Sequence, residues 1–276
     1  KITKIIDHIS KPPAAGSFPP GAAAHGAGQR GAEMGYALAA DGSGGLLWPP
    51  LTPATLLRRY KRFLADVMLD GGATVTAHCP NSGAMTGCCQ PGRRVYLSRH
   101  DDPRRKLAYT WEMIAMPGSL VGVNTLVPNR LVARALSAGQ VPALQGYAEL
   151  QREVRVGEHS RIDLRLSGAG RAPCYVEIKN CTLVSDGQAF FPDAVTARGR
   201  RHLAELEQLV AQGCRCLMFF VIQRMDAGVF RPADQIDPAY GERLRRAVQG
   251  GVEILAWDVQ IDRAAIRLNR EIPCRL

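Results

Sequence analysis

In this 276-residue chain Asp163, Glu177 and Lys179 are two carboxylates and an amine placed where they can act on one ligand. The last two belong to Cys174-Tyr-Val-Glu-Ile-Lys-Asn-Cys-Thr182, a run rich in strand-favouring side chains, bracketed by Pro173 and Ser185-Asp186-Gly187. Side chains two apart on a strand share a face, so Glu177 and Lys179 project together, about 7 Å apart. Val176 and Ile178 then pack into the opposite layer. Upstream, Arg161-Ile-Asp-Leu-Arg-Leu166 alternates in the same way and turns Asp163 away from Ile162, Leu164 and Leu166. If the two strands pair through a glycine-containing hairpin over 167–173, two acids and one amine converge. Two carboxylates can hold a divalent ion, Mg2+ being the expected one, which keeps several waters and contacts phosphate. A lysine beside them can orient the attacking water and stabilise charge developing on phosphorus.

An Asp followed about a dozen residues later by Glu-x-Lys is the constellation of PD-(D/E)xK nuclease-like domains. The plain alternative is a cross-strand ion pair at a sheet edge. Lysine usage favours the site: the chain has six lysines among 35 basic residues, and Lys179 is the only one after Lys106. Arginine cannot replace a compact charge with a shiftable pKa. On alternation Glu153 could join the Asp163 face as a third carboxylate, and Asp193 is another candidate.

The elements around these residues follow from pattern. Residues 1–50 are half alanine, glycine and proline, without apolar period, and are expected to be a disordered extension. Over 51–125, short runs at Thr74–His78, Arg94–Ser98, Leu107–Met113 and Ser119–Val123, separated by Gly/Pro turns, predict a small OB-fold-like β-barrel. Its first stretch, Leu56–Val67, interleaves basic and aromatic residues, which suits a groove that tracks phosphates. Residues 126–276 predict an α/β domain. A helix over Asn129–Gly139 leads to a three-strand meander at Glu153–Val156, Arg161–Leu166 and Cys174–Thr182. An amphipathic helix over Thr196–Gln212 and a doubly buried strand at Cys214–Gln223 follow. A helix at Pro238–Gln249 and strands at Val252–Gln260 and Ala265–Glu271 close the chain. Arg198, Arg200, Arg201 and His202 crowd the start of the Thr196 helix, where like charge opposes the helix dipole unless it faces phosphate.

Net charge of +10 favours a polyanionic partner, nucleic acid first. Eight cysteines lack zinc-ribbon spacing and are expected to be reduced thiols, although His78-Cys79 with Cys88-Cys89 could just hold a metal. No apolar stretch approaches 18 residues, so a cytoplasmic protein without membrane contact is expected. A sugar-phosphate enzyme has little support, since no glycine-rich phosphate loop occurs.

Six segments, in order, carry a specific resemblance: Arg59–Val67, His78–Gly87, Val123-Asn-Thr125 with Asn129-Arg130, Ser160–Asp163, Tyr175–Lys179, and Phe191–Gly199 with His202-Leu203. Over these the chain, from about Leu56 on, resembles the sugar fermentation stimulation protein A (SfsA) family. The resemblance implies an N-terminal OB-fold, a PD-(D/E)xK-like domain, non-specific DNA binding and a regulatory link to sugar (maltose) metabolism. Carried over, Asp163, Glu177 and Lys179 become the nuclease-like site, with Asp163 and Glu177 as metal ligands. Arg59, Lys61 and Arg62, with Arg198 and Arg201, become the expected DNA face. A Mg2+-dependent DNA endonuclease is the alternative to a regulatory DNA-binding protein.

Overall fold

A computed structural model describes residues 36–39, 42, 44–157 and 160–276. Its elements are β1 (Leu46–Leu47), β2 (Leu51–Tyr60), β3 (Leu64–Leu69), β4 (Thr74–His78), β5 (Arg94–Arg99), β6 (Tyr109–Met116) and β7 (Ser119–Gly122). Then come α1 (Val127–Ser137), β8 (Glu149–Val156), β9 (Ser160–Ser167), β10 (Cys174–Cys181), β11 (Leu183–Ser185) and β12 (Gln188–Phe191). The chain ends with α2 (Ala197–Ala211), β13 (Arg215–Ile222), β14 (Val229–Pro232), α3 (Pro238–Gln249), β15 (Glu253–Ile261) and β16 (Ala265–Glu271).

The strands β2 to β6 form the barrel. Antiparallel pairing runs β4-β3-β2-β5-β6, and a parallel pairing of β4 with β6, Ala77 opposite Tyr109, closes the ring. This is the strand order of an OB-fold. Alternating residues of these strands, among them Ala54, Leu56, Ala65, Val67, Val95 and Leu97, fill the interior around Trp111. The tip of the β2–β3 hairpin is Lys61-Arg62-Phe63, because Tyr60 pairs with Leu64.

The second sheet is mixed, ordered β1-β16-β15-β13-β10-β9-β8. β13 is its axis: Leu217, Phe219 and Val221 pack into the layer beneath α1, while Cys216, Met218, Phe220 and Ile222 pack beneath α2 and α3. That two-sided burial is what its unbroken apolar sequence requires. Asp237 caps α3 by accepting from Tyr240 N, and Thr196 caps α2 by accepting from Gly199 N. The barrel is tied to this domain by Gly122 N donating to Gln223 O (2.9 Å) and by Gln223 Nε2, fully buried, donating to Asn124 O (3.2 Å) and Asn180 Oδ1 (2.8 Å).

Most of the expected extension, residues 1–50, lies outside the described residues. Its last part does not behave as an extension: Leu46 pairs with Ile266 and Leu47 with Ala265, and Leu46 and Trp48 are buried. The outer edge of β16 would otherwise present unpaired N–H and C=O groups, and this short segment covers it. Trp48 Nε1 donates to Asp262 O (2.9 Å), and Tyr36 packs edge-on against its ring. No described helix is long and apolar enough to cross a membrane.

Candidate functional site

The registers of β9 and β10 explain where the acids meet. The two strands pair from Cys174–Leu166 to Val176–Leu164 and then part. At the next step the Asp163 carboxylate takes the place of a backbone acceptor: Ile178 N donates to its Oδ2 (2.7 Å). Asn129 Nδ2, from the first turn of α1, donates to Oδ1 (2.6 Å). The start of β9, freed from β10, bends toward α2, where Ser160 Oγ bonds Glu205 and Ile162 joins the core under that helix. Asp163 is thus held at the fork of the sheet.

Glu177 sits beside it, 2% exposed. Lys179 Nζ donates to Glu177 Oε1 (2.6 Å), and His202 Nδ1, from α2, meets the same oxygen. Arg198 Nε donates to His202 Nε2 (3.2 Å), which makes Nε2 the acceptor and places the ring proton on Nδ1, facing Glu177. A relay of Arg198, His202 and Glu177 therefore fixes the carboxylate, with Thr196 N anchored on Asp237 Oδ2 (2.8 Å) to hold the start of α2. Burial pushes Glu177 upward, but the His202 bond and the Lys179 charge outweigh it and keep the carboxyl below its ordinary pKa. For Asp163, burial and the neighbouring Glu177 charge act together and push the pKa up to about 6.

All three residues line a polar cavity of about 470 Å3 whose other wall belongs to the barrel, through Arg62, Asn81, Ser82 and Gly83. Asn81 Nδ2 donates to Val123 O (3.0 Å) and its Oδ1 accepts from Gly83 N (2.9 Å), setting the loop. Asp193 docks on that loop by accepting from Met85 N (2.9 Å), and Gly83 lies so close to it that a Cβ would stand 2.4 Å from Oδ2.

Two models of the SfsA family match the chain: the sugar fermentation stimulation protein RE domain over residues 126–265 and the SfsA N-terminal OB domain over 57–123. The chain belongs to the SfsA family. The sugar fermentation stimulation protein homolog of Geobacter sulfurreducens is 55% identical over 224 residues, spanning 81% of this chain and 96% of the relative. The homolog from Acidithiobacillus ferrooxidans is 53% identical over 222 residues, 80% and 96% of the two chains. Among solved structures, Pyrococcus furiosus SfsA in complex with Ca2+ matches with a TM-score of 0.77 at 27% identity, over 83% of this chain and 98% of that one. An N-terminal OB barrel followed by an α/β domain is thus the family's architecture.

Within this SfsA chain, the expected site residues fare differently. Asp163, Glu177 and Lys179 come together. Arg62 and Arg198 line the same cavity, Lys61 is exposed at the hairpin tip beside Arg62, and Arg201 is exposed on α2 but does not line it. Arg59 departs from its expected place on a DNA face. Its guanidinium donates to the carbonyls of Arg62 (3.0 Å), Ala84 (3.3 Å), Asn81 (2.8 Å) and Gly83 (3.0 Å), so it organises the barrel wall of the cavity. Of the two proposed third carboxylates, Glu153 is exposed and does not line the cavity; Asp193 lines it, with Oδ2 accepting from Met85 N, but among the described residues it does not cluster with Asp163 and Glu177 as a three-ligand set. The His78-Cys79 and Cys88-Cys89 metal reading also falls, since Cys79 and Cys88 are free thiols in the barrel core. His202 and Asn129 were not among the expected site residues. Both fall in the segments that carry the family resemblance, and His202 also in the basic cluster at the start of the Thr196 helix, but neither pattern pointed to the acids.

The donor set suits a small hard cation. Glu177 Oε2 is buried and has no hydrogen-bond partner, an uncommon and costly state for a carboxylate oxygen. Asp163 meanwhile has its ionisation opposed by Glu177. Both features are relieved by positive charge between the two acids. Among the described residues no three His, Cys, Asp or Glu side chains cluster as a metal cage. Two carboxylates with room for water is the environment Mg2+ takes, because it keeps much of its hydration.

Proposed function

We propose that this chain binds DNA non-specifically in the cleft between barrel and α/β domain, and that Asp163, Glu177 and Lys179 form a Mg2+-dependent phosphodiester-cleaving site of PD-(D/E)xK type. The observation that carries the proposal is the buried, unpartnered Oε2 of Glu177, a residue that lines a polar cavity together with Asp163 and Lys179. A Mg2+ held there would supply charge to the phosphate and lower the pKa of a bound water. The chain's own groups do the rest. Asp163 and Glu177 hold the cation, Asn129 and the Ile178 N–H fix Asp163, and the Arg198–His202 relay fixes Glu177. Lys179, 14% exposed along its side chain, reaches the cavity as a point charge for the scissile phosphate. Arg62 and Arg198 offer phosphate contacts on opposite walls, and the +10 charge supplies sequence-independent attraction. The Ca2+ in the Pyrococcus furiosus relative supports a site for oxygen-seeking divalent ions in this fold.

A second reading, a regulatory DNA-binding protein whose site does not cut, is favoured by one observation. Lys179 and His202 already compensate Glu177 without any ion. That reading accommodates the link to sugar metabolism implied by the family. Supercoiled plasmid incubated with Mg2+ or Mn2+ separates the two. Nicking by the wild type that Glu177→Ala and Lys179→Ala both lose supports the cutting site. Salt-dependent retention of plasmid by all three proteins without nicking supports the silent one.

A further inference from the structure

We propose that the β2–β3 hairpin tip is a stacking element that receives an unpaired DNA base at the mouth of the cavity, so that the protein prefers bulged or single-stranded DNA to intact duplex. The inference deepens the DNA-binding reading and rests on it. At the tip, Phe63 is 47% exposed and follows directly on Arg62, which lines the cavity. A single exposed aromatic needs no explanation. This one stands on a backbone that the chain has made rigid against its own preference. Lys61 and Arg62 both adopt left-handed conformations, with φ of 47° and 62°, where glycine is the ordinary choice. Such strain persists only where surrounding bonds over-determine it.

Those bonds are present. Arg59 holds the Arg62 carbonyl while gripping the Asn81–Ala84 loop, and Cys79 N donates to the Phe63 carbonyl (2.8 Å). A glycine at either position would release the strain but also the two cations. Instead the tip presents Lys61, Arg62 and Phe63 consecutively, two phosphate-binding charges followed by a ring. Base stacking on an aromatic ring is sequence-tolerant, since every base has a π-face. One of the residues lining the cavity is itself a strongly exposed apolar side chain, Val195 (70%). An exposed ring next to a polar cavity lined by Arg62, Arg198 and Lys179 suits a nucleotide whose base is out of the stack while its phosphate reaches the cations. A stacked duplex has no free base face to offer such a ring.

The test compares wild type, Phe63→Ala and Phe63→Tyr on a fully paired oligonucleotide duplex and on the same duplex with 2-aminopurine in a one-nucleotide bulge, in Ca2+ to hold binding apart from cleavage. Anisotropy gives affinity and 2-aminopurine emission gives stacking. The wild type is expected to bind the bulged duplex about ten-fold more tightly and to quench the probe. Phe63→Ala should lose roughly five- to fifty-fold on the bulged duplex, with the paired duplex and the salt dependence unchanged. Phe63→Tyr should retain both affinity and quenching. Equal wild-type binding to both duplexes, or a Phe63→Ala protein that still prefers and quenches the bulge, overturns the stacking element and leaves the DNA reading standing. Failure of the wild type to bind either duplex overturns both.

Discussion

Two buried glutamates teach opposite lessons. Glu112, in the barrel, is fully buried and accepts from Ser98 Oγ (2.6 Å) on one oxygen and from Tyr36 Oη (2.6 Å) and Asn124 Nδ2 (2.8 Å) on the other. Every donor is neutral, both oxygens are satisfied, and burial raises its pKa. Glu177 has cationic and imidazole partners crowded on one oxygen and none on the other, and opens on a cavity shared with a second acid. The first arrangement pins strands β5 and β6 to the segments at Asn124 and Tyr36. The second leaves electrostatic potential unspent where a ligand can enter, which is the mark of a site and not of a core.

Substitutions can break that contrast. Glu177→Ala is expected to lower plasmid nicking at least about 100-fold, the scale of removing one charge-stabilising group, while the fold survives because Lys179 can turn to cleft water. Glu112→Ala should do the reverse. It takes away the acceptor shared by Ser98, Tyr36 and Asn124 and is expected to cost about 3 kcal/mol in urea unfolding, with divalent-ion affinity of the folded protein unchanged. Comparable stability loss in both variants would erase the distinction.

Asp163 sharpens it further. Its folded pKa of about 6 lies above its unfolded value, so the native state binds the extra proton between pH 4 and 6. Stability from this group is full below about pH 4 and is lost as pH rises through 6. Asp163→Asn removes the carboxylate charge but sets an amide NH2 against Ile178 N or Asn129 Nδ2, so the variant should be less destabilised relative to wild type at pH 8 than at pH 4 in the metal-free protein. Chemical denaturation at the two pH values measures it. The smallest effect belongs to the barrel wall. Arg62→Ala should weaken DNA binding a few-fold and reduce the salt slope by about 1, whereas Arg59→Ala should lower stability through the loop it grips.

The legible parts of this chain were those with a local period. The alternation of Arg161–Leu166 and Cys174–Thr182 predicted the strands and the shared face of Glu177 and Lys179, and the apolar run at Cys214–Gln223 predicted the central strand. What sequence could not disclose was contact between distant elements. Asp163 replaces a ladder acceptor because β9 and β10 part at that step, which no spacing encodes. His202 and Asn129 reach the acids from helices 25 and 34 residues away. Arg59 looked like its basic neighbours, yet a few turns of the chain decide that its donors face carbonyls. The Leu46–Trp48 segment, set among glycines and alanines, is a strand only because β16 needs an edge partner.

If Asp163 and Glu177 together hold a divalent cation, calorimetric titration with Mn2+ at pH 8 and pH 5 will read it out. One saturable site is expected in the wild type at pH 8, weakened at pH 5 where Asp163 is largely protonated, and absent in the Asp163→Asn, Glu177→Gln double variant. The same binding heat in wild type and double variant would contradict it.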